Sequence, residues 1–235
     1  MPLRRKILIL AILFFPAFTS QGQTLTPVVT AFGDYSYNAT FGHQAALDLL
    51  ADIPLNPYFT VQPGLQTSTA NIHTLALKTS TLMPLSAGGL YMNDRFLFRD
   101  VARSGMYDAC LAVSFGYKWK WIDVEAGMFG RFMDAFDREW HSTDEIICEP
   151  FNLLYRIRLS LRQETSVWNA YAEVADFDYF QMERMWQPSL VLGGRYDISG
   201  RLSIRAEAVS KPSGMFHLNA EFYSITGRIG VTYQF

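Results

Sequence analysis

The sequence predicts a membrane-spanning, up-and-down antiparallel β-barrel, and three observations carry that prediction. An apolar leader opens the chain. Segments of about ten residues then alternate apolar and polar positions, the period of a barrel strand. The last of them, Ile229-Gly230-Val231-Thr232-Tyr233-Gln234-Phe235, ends on an aromatic residue. Ile229, Val231, Tyr233 and Phe235 share one face of a strand, the face that meets lipid.

Met1 to Gly22 has the layout of a secretory signal peptide. Arg4, Arg5 and Lys6 form the charged start, Ile7 to Phe15 is unbroken apolar, and Ser20 and Gly22 precede a cut at Gln23. A helical span needs about 20 apolar residues, and Pro16, Thr19 and Ser20 cut this run short. The expected organisation is therefore a leader over 1–22 and one barrel domain over 23–235. Without the leader's three cations the chain carries 17 Lys+Arg against 22 Asp+Glu, a net of −5. That balance offers no basic stripe for nucleic acid.

The strands read most clearly from residue 107 onward. Tyr107, Ala109, Leu111, Val113, Phe115, Tyr117 and Trp119 take one face, opposed by Asp108, Cys110, Ala112, Ser114, Gly116 and Lys118. Ile122, Val124, Ala126, Met128, Gly130 and Phe132 repeat the pattern, with Asp123, Glu125 and Arg131 opposed. Leu153 to Leu161, Trp168 to Val174, Leu190 to Tyr196, Leu202 to Ala208 and Phe216 to Phe222 follow the same rule. The apolar phase flips between Phe222 and Ile229, which predicts a bulge inside one long final strand.

Short turns near 118–120, 163–167 and 198–201 alternate with longer connections at 134–150, 175–185 and 210–215, as in membrane barrels. Tyr117, Trp119, Trp121, Tyr196 and Tyr233 gather at the short-turn end, where an interfacial aromatic girdle belongs.

The N-terminal third is less regular. Val28 to Asn38 reads as a strand, Pro57 to Leu82 holds one or two more, and Tyr91 to Phe98 makes a short one. His43 to Ile53 reads as a helix, with Ala46, Leu47, Leu49 and Leu50 forming an apolar side. The count is about ten strands, with eight to twelve open.

If apolar residues face lipid, the opposite phase fills the lumen. There Asp108, Glu125, Glu173, Glu207 and Glu221 face Arg131, Arg156, Arg158, Arg195 and Arg205. A barrel of eight to ten strands is narrow enough for side chains to fill, and Arg bridges carboxylates bidentately. The balanced set favours a closed polar core, with a narrow channel as the alternative.

Sites of chemistry are weakly marked. His217, Asn219 and Glu221 fall on one strand face, but no Ser joins them there as a nucleophile. His141-Ser142 with Asp144 and Glu145 holds similar residue types in a loop. His43, His73, His141 and His217 are scattered, so no metal site and no cofactor is expected. The acidic loop from Asp134 to Glu139 lacks the glycine turn of a calcium loop and reads as hydrated surface. Cys110 and Cys148 are a candidate disulfide in an oxidising compartment, with two free thiols as the alternative. Phe177, Tyr179, Phe180, Met182, Met185 and Trp186 make loop 175–185 aromatic, suited to the membrane interface or to a partner.

On the leader, the alternation and the terminal Phe235, the chain resembles small outer-membrane β-barrel proteins of Gram-negative bacteria. The resemblance covers Tyr107 to Phe235 well and the preceding 80 residues loosely. It implies an outer-membrane location amid lipid and lipopolysaccharide. It also implies that Tyr233 and Phe235 are the signal read by the barrel-assembly machinery. The expected function is a filled barrel serving envelope structure, or surface interaction through loops 134–150 and 175–185. A narrow porin-like channel is the second reading and a lipid-modifying hydrolase the third.

Overall fold

The computed structural model describes residues 25–38, 42–101, 106–135, 145–161, 166–182, 187–213 and 221–235. The leader predicted over 1–22 lies outside them. Twelve strands follow one another in the chain: β1 Val28–Asn38, β2 Gly42–Asn56, β3 Phe59–Ser68, β4 Ile72–Leu85, β5 Gly88–Val101 and β6 Met106–Trp119, then β7 Ile122–Ala135, β8 Glu145–Ser160, β9 Trp168–Ala175, β10 Ser189–Asp197, β11 Leu202–Ser213 and β12 Glu221–Gln234. Each pairs with its sequence neighbours, and β1 pairs β12 to close the barrel. Closure removes the sheet edges that water or another strand would otherwise have to satisfy.

Twelve strands replace the ten expected, and the helix expected over 43–53 is β2. Leu47 and Leu49 point outward at 50% and 41% exposure, while Asp48 and Leu50 are buried inward. That is a period of two. The good helix formers Ala and Leu give way because β2 is zipped between β1 and β3 along most of its length, and sheet pairing overrides local propensity.

From β6 onward the predicted phase matches the burial. Leu111, Val113, Phe115, Leu192 and Ile229 are exposed on the outer wall, whereas Asp108, Ala112, Ser114 and Glu125 are buried. Trp119, Trp121, Tyr196 and Tyr233 are exposed close to the rim where β1 starts and β12 ends. The two-residue turns 57–58, 86–87 and 120–121 lie on that rim. The final strand is long, as predicted, and its register shifts opposite Lys211 and Pro212. That shift accounts for the change of apolar phase.

Three lumen aromatics lie over glycines directly across the ladder: Phe32 on Gly230, Tyr91 on Gly116 and Tyr171 on Gly193. A Cβ at Gly193 would stand 2.3 Å from the Tyr171 ring. Such pairs let large side chains lie flat along the inner wall, the aromatic rescue of strand glycines.

Candidate functional site

The site is the lumen, and its shape follows from two short strands. β9 has 8 residues and β10 has 9, against 16 for β8 and 12 for β11. The β9–β10 ladder stops at Ala175↔Ser189, and the chain then turns into the barrel. Asp176 makes that turn. Its N–H donates to the Tyr155 carbonyl at 3.2 Å, and its carboxylate accepts the Tyr155 N–H at 2.8 Å.

The inward segment is built as a compact turn. The Asp178 carboxylate accepts the N–H groups of Phe180 and Gln181, both at 2.8 Å, a local side-chain turn of the kind Asp favours. Phe177 and Met182 bridge each other and bury themselves against Leu97, Cys110, Ala112, Phe129 and Leu154. Phe180, fully buried, packs with Phe32 and Leu50.

Charged wall residues hold the segment from several sides. Arg99 donates to the Phe180 carbonyl at 3.1 Å, and Arg205 donates to the Tyr179 hydroxyl at 2.9 Å. Lys211 donates to the Gln181 amide oxygen. Arg228 stands 3.7 Å from the Asp178 carboxylate. The Arg95 guanidinium lies 4.4 Å from the centre of the Phe177 ring, a cation–π contact. Loop 175–185, expected at the surface, thus sends its described part, Asp176 to Met182, into the lumen. The aromatics find apolar partners there because this stretch of inner wall is itself apolar. Met185 and Trp186 lie outside the described residues.

Two carboxyls of this segment differ in their environment. Burial pushes Asp176 up to about 7, partly offset by the backbone hydrogen bonds it accepts. Burial also opposes ionisation of Asp178, but Lys211, Arg228 and the Phe180 and Gln181 N–H groups together hold it below the usual carboxylate range.

Around the loop the lumen is an ion-pair network. Glu125 is the centre of one part, bound by Arg95 at 2.6 Å, Arg156 at 3.1 Å, Ser114 at 2.5 Å and Asn93 at 2.9 Å. Asp123 adds a second carboxylate to Arg156 at 3.0 Å. Arg228 is the centre of the other part, 3.0 Å from Asp34 and 3.2 Å from Glu207. Arg131 pairs Asp108 at 2.8 Å, Arg158 pairs Glu173 at 2.6 Å, and Arg195 pairs Asp197 at 3.1 Å. Arg205 lies 3.8 Å from Glu207.

The nine lumen residues predicted between Asp108 and Glu207 are therefore all placed among these pairs. The side chain of Glu221, the tenth, lies outside the described residues. So do His217 and Asn219, and His141, Ser142 and Asp144. Sequence reading missed Asp34, Asp48, Lys78, Arg95 and Arg228. The first four sit on strands whose alternation is weak. Arg228 was findable, because it alternates with Ile229 and Val231.

Cys110 and Cys148 are free thiols, the first buried and the second exposed. They stand on β6 and β8 with β7 between them, roughly 10 Å apart at two strand spacings. A disulfide needs Cα atoms within about 7 Å, so this pair forms none.

Two cavities flank the loop. One, of about 60 Å³, is lined by Gln62, Lys78, Arg95, Arg156 and Arg158 among others. The other, of about 100 Å³, lies toward the long-loop rim and is lined by Ser36, Gln66, Ser68 and Lys211 among others. Asp178, Val209 and Arg228 border both.

No family model matches the chain, and no curated protein does. Among solved structures it is similar to the KdgM porin in complex with disordered oligogalacturonate, at TM-score 0.54 and 9% identity, over 88% of this chain and 99% of that one. It is similar to the NanC porin at TM-score 0.55 and 10% identity, over 88% of this chain and all of that one. The translocator domain of the autotransporter NalP from Neisseria meningitidis aligns at TM-score 0.52 and 12% identity, over 99% of this chain and 94% of that one. These likenesses carry the fold. With its closed wall and lipid-facing apolar belt, the chain is an outer-membrane β-barrel protein.

Proposed function

We propose that the barrel is a solute channel of the outer membrane, constricted at mid-height by the Asp176–Met182 segment. One observation carries the reading: a cavity with charged lining residues lies on each side of the segment, and the same Asp178–Arg228 contact borders both. A barrel serving structure alone has no need of cavities with charged linings above and below an inward-folded loop. The loop is held by apolar burial of Phe177, Phe180 and Met182 together with hydrogen bonds and ion contacts to the wall, and a passing polar solute can replace the polar grips. Two structures of similar fold are porins by name.

The test is single-channel conductance in planar bilayers. The mature chain should give small steps, and replacing 177–182 with a Gly-Ser linker should enlarge them several-fold. If the linker variant folds, shown by its heat-dependent gel shift, and stays silent, the filled structural barrel is the correct reading.

A further inference from the structure

Lys78 stands out within the ion-pair network. It projects into the lumen from β4, directly across the ladder from Arg95 on β5 and from Gln62 on β3. Two cations in direct cross-strand register repel, and the pair is tolerable only where negative charge compensates both. Arg95 has its counter-ion, Glu125, at 2.6 Å. Lys78 has no ion pair among the described residues.

The acids that can reach it are committed elsewhere. Glu125 accepts from Arg95, Arg156, Ser114 and Asn93. Asp52 accepts from the neutral Gln62 amide, and its charge acts on Lys78 from outside ion-pair distance. Of the acids lining the cavity, Glu173 pairs with Arg158, while Glu207 and Asp178 both face Arg228. The lining holds five cations, Lys78, Arg95, Arg156, Arg158 and Arg228, against those three acids. Charge withdrawn from water is normally paired, and here Lys78 borders an open space with no acid in ion-pair contact among the described residues.

We infer that this cavity is a binding site for a compact oxyanion, the carboxylate or phosphate group of an anionic solute, with Lys78 as its principal ligand. The size agrees. About 60 Å³ is room for roughly four or five water centres, which suits such a group and not a whole sugar. Arg156 and Arg158 flank the site from β8, and Gln62 adds an amide from β3. The remainder of a larger solute would extend along the lumen. The inference deepens the channel reading by naming the charge of the solute, and it rests on that reading for the route of entry alone.

Isothermal titration of the refolded mature protein in detergent micelles tests binding without requiring conductance. The probes are sodium glucuronate, inorganic phosphate and neutral glucose. Saturable binding of glucuronate or phosphate, with none of glucose, is expected. The stronger of the two identifies the oxyanion. Lys78→Met should weaken it at least tenfold, and Lys78→Arg should retain it. If Lys78→Met loses its heat-dependent gel shift, Lys78→Gln replaces it, since Gln keeps length and polarity. Absence of saturable binding of both anions, or binding unchanged in a folded Lys78 variant, overturns the site. Lys78-dependent binding in a protein silent in bilayers would uphold the site and refute the channel.

Discussion

Tyr155 and Asp176 bond each other twice: the Tyr155 N–H reaches the Asp176 carboxylate at 2.8 Å, and the Asp176 N–H reaches the Tyr155 carbonyl at 3.2 Å. The first bond substitutes a side chain for the backbone partner that a longer β9 would supply. β8 runs ten residues beyond Tyr155 toward the long-loop rim, yet its pairing with β9 ends at Arg156↔Ala175. One carboxylate thus closes a ladder and directs the following segment into the lumen.

That geometry gives the loop a pH dependence. Docking holds Asp176 up to about 7, above its ordinary 3.8, so the docked state binds more protons than the released one between those values. Docking is then strongest near pH 4 and weakens as pH rises through about 7. Channel open probability should rise between pH 5 and 7.5 in the native chain and stay flat in Asp176→Asn. A native profile without slope over that range would refute the link.

Glu125 neutralises two guanidinium groups inside the barrel. Removing one partner of a buried pair leaves uncompensated charge, at about 3–5 kcal/mol. Glu125→Ala should lower the unfolding free energy, read by urea titration in lipid vesicles, by that amount. Removing Arg95 as well should recover part of the loss. An additive double variant would mean that the two groups act independently.

At Gly193 a methyl group would press on the Tyr171 ring at 2.3 Å, with Tyr171 held by Glu207 at 2.5 Å. Gly193→Ala should cost about 1–3 kcal/mol by overpacking. Gly200→Ala, at a turn where a Cβ meets nothing within 4 Å, serves as the control. Equal midpoints for the two variants would rule out a role for the Tyr171–Gly193 contact.

On the outer wall, Val113 and Leu192 are 43% and 67% exposed. Arg at either position should destabilise the barrel by about 2–4 kcal/mol in vesicles, the penalty for a cation at mid-bilayer. The same substitution at exposed Tyr58 in a rim turn should cost far less. Similar costs at all three positions would contradict the assigned membrane depth.

The terminal aromatics form an edge-to-face pair, Tyr233 and Phe235, with ring centres 5.2 Å apart. As an assembly signal this end acts before folding, so deleting Phe235 should reduce outer-membrane yield in cells. It should leave refolding in detergent unchanged. Normal yield in cells would remove the signalling role.

Residues such as Leu111, Leu192 and Ile229 declared their lipid-facing position in the sequence by themselves, because a strand in a bilayer must alternate every second residue. The barrel class, the phase from β6 onward and the nine lumen charges between Asp108 and Glu207 all came from that rule. Two things did not. In β2 the Ala and Leu residues carry no local mark of strand, and only pairing with β1 and β3 imposes it. Phe177, Phe180 and Met182 read as interfacial because greasy loop residues suit lipid as well as a lumen. Their destination depends on where β9 stops and on apolar inner-wall patches, one assembled from β5, β6, β7 and β8 and the other from β1 and β2. That Lys78 lacks an ion-pair contact among the described residues was equally hidden. A counter-ion is a matter of distances across strands far apart in the chain, and closure of the barrel alone sets those distances.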